Sequence, residues 1–485
     1  MKRIDCLLFC IIATGFNVKA ALAADVAACF SAQDMGGCNR QALSHVDFKS
    51  VVLQFVDPAD TQLGEGLARL FWREILDSIS DLKGAGVILA YDREQQIKTL
   101  LGEQNVQVFL HNNYHDAALK IAQFQQTQMA IWGAVLNDGD GIYVQNYLTL
   151  NEPKDHSWTT MQVGFPSGQQ LSVPFMRKQF NLPEVVGTRA ELFARRFYTR
   201  CALSEGCPKG IALRVEPDNN SAIAYYVADG AALQVIDMQQ QWLLVENPQG
   251  SNAWINIYYL EVYPNEVSFN KVTQVNLRTK PNQRKIASVD LDGDFAVSDV
   301  LKSGDYPWYQ IKVDGQQGWV RSDIASNRAY IFPAVHLIAG LYRYNAQQYA
   351  SAINEFTEYL KAVPEEDNVT RASVFKLLAA SELAGNQANT SGFSRAKDYL
   401  KLAATYTPYD ASVYSQEALL TMAKRNEFAT ALDLIDKAYQ LNANDPALTA
   451  IIKFLSSLER DNQLSDVVPN EHIVQTRKKL KVWRL

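Results

Sequence analysis

"VDGQQGWVRSD", Val313 to Asp323, places a polar turn, Asp314-Gly315, just before Gly318-Trp319-Val320. Asp-Gly between apolar and β-branched runs is hairpin chemistry, because both residues tolerate positive φ. A related stretch, "PQGSNAWINIYYLE", stands about 65 residues earlier. Working outward, the two stretches close two longer units. The first holds "ALRVEP" (212–217), "QWLLVENP" (241–248) and "AWINIYYL" (253–260). The second holds "NLRTKP" (276–281), "PWYQIKVDG" (307–315) and "GWVRSDI" (318–324). Leu213 and Leu277, Trp242 and Trp308, and Trp254 and Trp319 lie 64, 66 and 65 residues apart. A near-constant offset across three landmarks is the mark of duplication.

The shared pattern, x-L-R-x-x-P followed by W-x-x-V and G-W-V, resembles the bacterial SH3-like (SH3b) family. Unit two fits it throughout; unit one has Asn252-Ala253-Trp254 where the pattern has glycine. The resemblance implies two small β-barrels, each closed by a tryptophan strand. A barrel of about 60 residues is short of core, so Trp242, Trp254, Trp308 and Trp319 are expected inside. Some barrels of that family bind peptidoglycan stem peptides or cross-bridges. On that reading Tyr258, Tyr259 and Tyr309 are the ligand contacts.

Upstream, strand and helix signals alternate. "VVLQFV" (51–56) and "GVILAY" (86–91) read as buried strands. Leu63, Leu67, Leu70, Phe71, Ile75 and Ile79 recur at helical spacing, and 114–126 reads as a second helix. "NDGDG" (137–141) joins two strands as a hairpin. Residues 151–210 give strand signals at "SWTTMQV" and "QQLSVPF" and a helix at about 190–200. The order "VVLQF", "LGEGLARLFWREIL", "ILAYDRE", "AIWGAVLNDGDGIYVQNYLTL" resembles the N-terminal domain of TolB and its relatives, a domain that docks partners and carries no catalytic residues. No propeller repeat follows it.

The last third is helical. "YASAINEFTEYLKAVP" (349–364) resembles the second helix of a tetratricopeptide (TPR) repeat, with Ala352, Phe356, Tyr359 and Pro364 at marker positions and Gly340 at the small position of the first helix. Ala396, Leu400, Ala403 and Pro408 repeat the pattern, as do Ala431, Ile435 and Ala438. Residues 446–460 are expected to cap the stack. The resemblance implies a groove for an envelope protein partner, lined by the first helix of each pair.

The ends and the cysteines place the chain. Lys2 and Arg3 precede an apolar stretch, 7–16, and Ala21-Leu22-Ala23 offers a small-x-small cleavage pattern. The stretch is shorter than a membrane span. Of six cysteines, Cys6 and Cys10 lie in the removed segment. Cys29 with Cys38 and Cys201 with Cys207 form two local pairs in an exported chain, and disulfides are expected for both. Neither spacing suits a structural zinc site. Val26-Ala27-Ala28-Cys29 leaves open a lipidated Cys29, which could then not pair with Cys38. The net charge of −6 on 485 residues points to no nucleic acid.

Catalytic patterns are lacking. His111 and His115 have no adjoining glutamate, and "DLDGD" (290–294) has Phe295 and Leu301 where a calcium loop needs Gly and Glu, so a charged turn is expected. "KGAGVILA" precedes a strand instead of following one, so it is no dinucleotide loop. "TRKKLKVWRL" (476–485) reads as a solvated basic helix end, with contact to lipid or wall polymer as the alternative.

The fold class expected is multidomain α+β: an N-terminal α/β sandwich, two small SH3-like barrels and a C-terminal α-solenoid of TPR-like helix hairpins. The boundaries are 1–23 signal peptide, 24–210 TolB-like domain with extension, 211–264 and 265–328 barrels, 333–460 TPR-like repeats and 461–485 basic tail. The function expected is a non-enzymatic periplasmic or secreted scaffold for envelope proteins, with peptidoglycan binding through the barrels as the alternative. No cofactor, metal or catalytic residue is assigned. Mass spectrometry of the exported protein should find a mature N-terminus at Ala24; a lipid-modified Cys29 as first residue would contradict it.

Overall fold

The computed structural model describes residues 47–57, 63–79, 82–89, 114–138, 141–151, 159–165, 167–176, 179–193, 196–201, 207, 209–246, 250–263, 266–303, 306–322, 330–385 and 390–483. The expected signal segment and Cys29 with Cys38 lie outside them. Two compact units divide the chain: 1–149 with 182–335, and 150–181 with 336–485.

In the first unit β1 (Phe48–Val56) is flanked in parallel by β2 (Ala85–Leu89) and β3 (Met129–Asp138). Val51 and Val52 are both fully buried. Two successive buried residues need cover on both faces of the sheet, and an unbroken apolar run is what such a strand requires. α1 (Gly64–Ser78) sets Phe71 against Phe55, with ring centroids 5.8 Å apart. α2 (Tyr114–Gln125) sets Ala118, Ile121 and Ala122 against Val51, Leu53, Ile88 and Trp132. β4 (Gly141–Leu150) is next after β3 and pairs with it, and the sheet runs β2-β1-β3-β4-β7, with β7 at Gln179–Thr188. The intervening β5 (Thr160–Gly164) and β6 (Gln170–Pro174) form a separate hairpin in the second unit.

The helix expected over 190–200 is only α3 (Arg189–Phe193); Arg196–Thr199 is strand β8, between β11 (Ala232–Gln239) and β14 (Leu260–Tyr263). Phe197 and Tyr198 are buried there, two aromatics that suit a pleated surface better than a helix.

The duplication is strand for strand. Unit one comprises β9 (Ile211–Arg214), β10 (Ile223–Val227), β11 (Ala232–Gln239), β12 (Trp242–Glu246) and β13 (Asn252–Asn256), followed by β14 (Leu260–Tyr263). Unit two comprises β15 (Glu266–Arg278), β16 (Lys285–Ala296), β17 (Asp299–Ser303), β18 (Tyr306–Val313) and β19 (Gln316–Arg321). The orders β10-β9-β13-β12-β11 and β16-β15-β19-β18-β17 correspond. Trp254 pairs with Arg214, and Trp319 with Arg278. Each arginine donates Nη1 to a turn carbonyl, Ser221 at 2.7 Å and Gln283 at 2.6 Å. The arginine of L-R-x-x-P therefore clips the turn that the proline begins.

The tight turn is not duplicated. Asp314 and Gly315 have φ of 48° and 83° between the paired Val313 and Gln316, a two-residue hairpin. In unit one the last pair is Glu246↔Asn252, so the connection is longer. Trp242, Trp308 and Trp319 are buried, whereas Trp254 is half-buried. "DLDGD" lies within β16 and is not a turn. Asp290 and Asp292 accept backbone N–H bonds from Gln274 and Lys271, which sit at positive φ where the β15–β16 register shifts.

In the second unit antiparallel helices pack in pairs. α4 (Ala334–Asn345) precedes α5 (Tyr349–Ala362), α6 (Asn368–Gly385) packs along α7 (Thr390–Tyr406), and α8 (Ala411–Met422) along α9 (Phe428–Leu441). Ala352, Ala396, Leu400, Ala403, Ala431, Ile435 and Ala438 are fully buried at these crossings. A Cβ on Gly340 would run into the Phe356 ring. Asp410 and Asp445 cap α8 and α10 (Pro446–Arg460) through Ser412 N and Leu448 N. The basic tail is a solvated helix end in part: Arg477, Lys478 and Lys481 are exposed, but its tryptophan is not. Beyond α11 (Leu464–Val467), α12 (Asn470–Val482) ends on Trp483, which is 1% exposed and donates Nε1–H to Asp436 at 2.8 Å. Lys479 pairs with the same carboxylate. The indole takes cover while Lys478 and Lys481 keep to water.

A methyl group on Gly318 would overlap the Leu277 side chain. Gly318→Ala should destabilise the protein by about 1–3 kcal/mol in thermal denaturation. Gly164→Ala, whose Cβ would meet nothing within 4 Å, should stay within about 0.5 kcal/mol.

Candidate functional site

The L-R strand alternates inward and outward. Ile211 and Leu213 are buried, while Ala212 and Arg214 stay part-exposed. Before them Gly210 turns the chain at φ 84°, and a side chain there would collide with the Val227 carbonyl. Gly210 N also donates to Cys207 O at 2.8 Å. The disulfide Cys201–Cys207, with Cα atoms 5.9 Å apart, fixes the near end of this turn. Cys201 N donates to Asp229 Oδ1 at 2.7 Å.

On the other side β13 ends at Asn256, whose Oδ1 accepts from Tyr258 N at 3.0 Å and starts one 3-10 turn, Ile257–Tyr259. That turn holds the two tyrosines edge to face, with ring centroids 5.2 Å apart, yet gives them different surroundings. Tyr258 lies toward α1, where Arg73 stands 5.9 Å from its ring centroid. Burial pushes the Tyr258 phenol up, against the lowering influence of Arg73. Tyr259 instead lines a cavity of about 340 Å³. Lys209, Arg214, Asn256 and the edge of Trp242 line it too. With Asn219 also in the wall, the cavity combines two cations, two amides and aromatic surface. Such a wall can hold a carboxylate by charge-assisted bonds and an acyl or methyl group by contact.

Residues 208–260 match the bacterial SH3 domain family. They span β9 to the start of β14 and hold most of the cavity wall. No curated protein matches the chain. Two solved structures share similarity with part of it: NlpC2 from Trichomonas vaginalis, at 18% identity over 27% of this chain and 47% of that one, with TM-score 0.14; and NlpC1 from Trichomonas vaginalis, at 14% identity over 27% and 45%, with TM-score 0.14. The chain thus spans less than half the length of either, and superpositions this partial bear on neither fold nor activity. The SH3 domain and the disulfide together point to an extracytoplasmic protein. Among the described residues no helix is long and apolar enough to cross a membrane.

Of the three tyrosines expected to touch ligand, only Tyr259 opens on the SH3 cavity. Tyr309 is 1% exposed. It pairs with Val300 and Val320 and packs in the core of the second barrel with Leu277 and Ile311. That expectation is corrected, because β18 is buried on successive residues, Trp308 and Tyr309, so Tyr309 faces the core and not solvent. His115 accepts or donates at Thr149 Oγ1, 2.9 Å away, edge-on to Trp132; His111 lies outside the described residues. Lys209, Arg214 and Asn256 were not singled out as contacts from sequence. The readable signal was the arginine of L-R-x-x-P, used as a landmark of duplication but not as a cavity wall.

Breaking the disulfide with Cys201→Ser and Cys207→Ser should lower stability by about 2 kcal/mol, the value for closing so short a loop. Thermal denaturation with and without reductant checks it: reduction should cost the wild type about that margin more than it costs the double variant, which keeps only the expected Cys29–Cys38 pair.

Proposed function

We propose that the protein is a non-enzymatic binding protein of the bacterial envelope, and that the first barrel's cavity takes a short peptide of the cell wall. The observation that carries this reading is the convergence of Lys209, Arg214, Asn256 and Tyr259 on one cavity in the SH3 domain. A wall peptide ends in a free carboxylate and carries amides and small apolar side chains. Two cations, a side-chain amide and an aromatic edge are complementary to that set. The non-enzymatic part rests on how reactive groups are held. Cys201 and Cys207 are tied to each other, so neither is a free thiol nucleophile, and Glu355, which contacts His336 at 2.7 Å, is also paired with Arg343.

A second reading is that of an adaptor for envelope proteins. On this reading the α/β layer of β1–β4 is a TolB-like docking module and the helix pairs are TPR-like repeats with a partner groove. It is favoured by the fully buried small residues at the helix crossings, Ala352, Ala396 and Ala431. It is weakened by what lies across the first helices of the stack, where the chain's own hairpin is seated.

Sedimentation with purified sacculi separates the two. Wild-type protein should pellet, and Tyr259→Ala with Lys209→Glu should weaken binding by at least about tenfold, the equivalent of ~1.4 kcal/mol. Wild-type protein left wholly in the supernatant would contradict the wall-peptide reading. Capture of one envelope protein through residues 333–460 would move the weight to the adaptor.

A further inference from the structure

The helix stack already holds a strand-shaped ligand. The second unit includes the hairpin β5–β6, paired from Thr160↔Pro174 to Gly164↔Gln170. Met161, Val163, Leu171 and Val173 are at most 8% exposed, while Gln162, Ser172 and Pro174 face outward. A lone two-stranded hairpin is marginal in water, so its apolar face needs a bed. The bed is the row of first helices. The Phe175 ring lies 5.7 Å from Tyr344 of α4, and β5 touches α6. Gln416 of α8 donates to the Pro174 carbonyl, and Phe165 stacks on Phe454 of α10 at 5.4 Å. α6 and α8 are accordingly buried around their circumference, over 372–383 and 413–422. One side faces the second helices. The remaining burial falls where the hairpin sits.

Gln416 shows that the fit is incomplete. Its side chain is 1% exposed and its Nε2 donates to Pro174 O at 3.1 Å. Its Oε1 is buried with no hydrogen-bond partner among the described residues. Phe175 N donates to Thr159 O, so the next pair, Thr160↔Pro174, is a non-hydrogen-bonded one. The backbone groups of residue 174 therefore point away from β5, toward the open edge. At such an edge an ordinary residue offers both C=O and N–H, which one glutamine amide can hold together. Proline offers only the carbonyl, and the buried acceptor stays unsatisfied.

We propose that β5–β6 is an intramolecular ligand of the groove lined by α4, α6, α8 and α10, seated there but held below its best affinity by Pro174. The occupant that displaces it is an extended strand of alternating apolar side chains with a non-proline residue opposite Gln416. Partner access to the helix stack is then competition against the chain's own hairpin. This inference does not depend on the wall-peptide reading of the first barrel.

The test uses the full chain and two labelled peptides with the sequence of residues 159–176, one native and one carrying Pro174→Ala. Val173→Asp places a charge on the buried face and should undock the resident hairpin. This variant should bind both peptides, and the wild type neither. The alanine peptide should bind that variant at least about fivefold tighter, and adding Gln416→Leu to Val173→Asp should abolish the preference. In the intact chain Pro174→Ala should slow amide exchange across β5–β6. The proposal is overturned if Val173→Asp keeps its helical circular-dichroism signal yet binds neither peptide. It is equally overturned if that variant loses the signal, since the hairpin would then be fold core and not ligand. Equal affinity for the two peptides would remove Gln416 from the account.

Discussion

Small modules cannot close their own cores, and here each completes itself on a neighbour within its unit. The second barrel takes Tyr198, which lies outside its own segment, into its core. The first barrel meets α1 at Met238, and only a glycine, Gly66, lets the helix come so near. The chain after the second barrel is held by Glu74 of α1, which accepts from Ile331 N at 2.7 Å and Phe332 N at 3.1 Å. Phe332 in turn meets Phe71 edge-on at 4.8 Å. The helix stack ends on Trp483, and removing an aromatic of that size from a packed site costs about 3–5 kcal/mol. Burial at module edges, and not any one barrel core, is what the fold depends on.

That dependence explains what sequence could and could not show. Elements governed by local chemistry were readable. The β1 run, the α1 stripe, the Asp314-Gly315 turn and the marker alanines at helix crossings each follow from periodicity or from a special φ. Those decided by distant partners were not. Residues 196–199 continue a helical-looking pattern, yet they become a strand because β11 and β14 stand on either side. The basic C-terminal segment looks soluble, yet Asp436 and the α9–α10 surface draw Trp483 inward. Tyr309 looks like an outward aromatic, but adjacent residues of β18 are both buried.

The candidate site was half legible for the same reason. The disulfide could be named from spacing and compartment, and Tyr259 from the resemblance to the SH3b family. Lys209, Arg214 and Asn256 come together only once β9 lies beside β13 and the 3-10 turn folds over both. Arg214 serves two ends, since clipping the Ser221 carbonyl also aims its guanidinium along the cavity wall. The duplicated Arg278 keeps the clip. Duplication has therefore preserved the structural use of the arginine, and the first copy carries the cavity argued here.

Amide hydrogen exchange of the full chain, with and without soluble wall peptides released from sacculi, tests the central functional claim most directly. The account predicts slowed exchange confined to residues 209–214 and 252–260. Unchanged exchange there, or protection appearing only across the helices from 334 to 460, would contradict it.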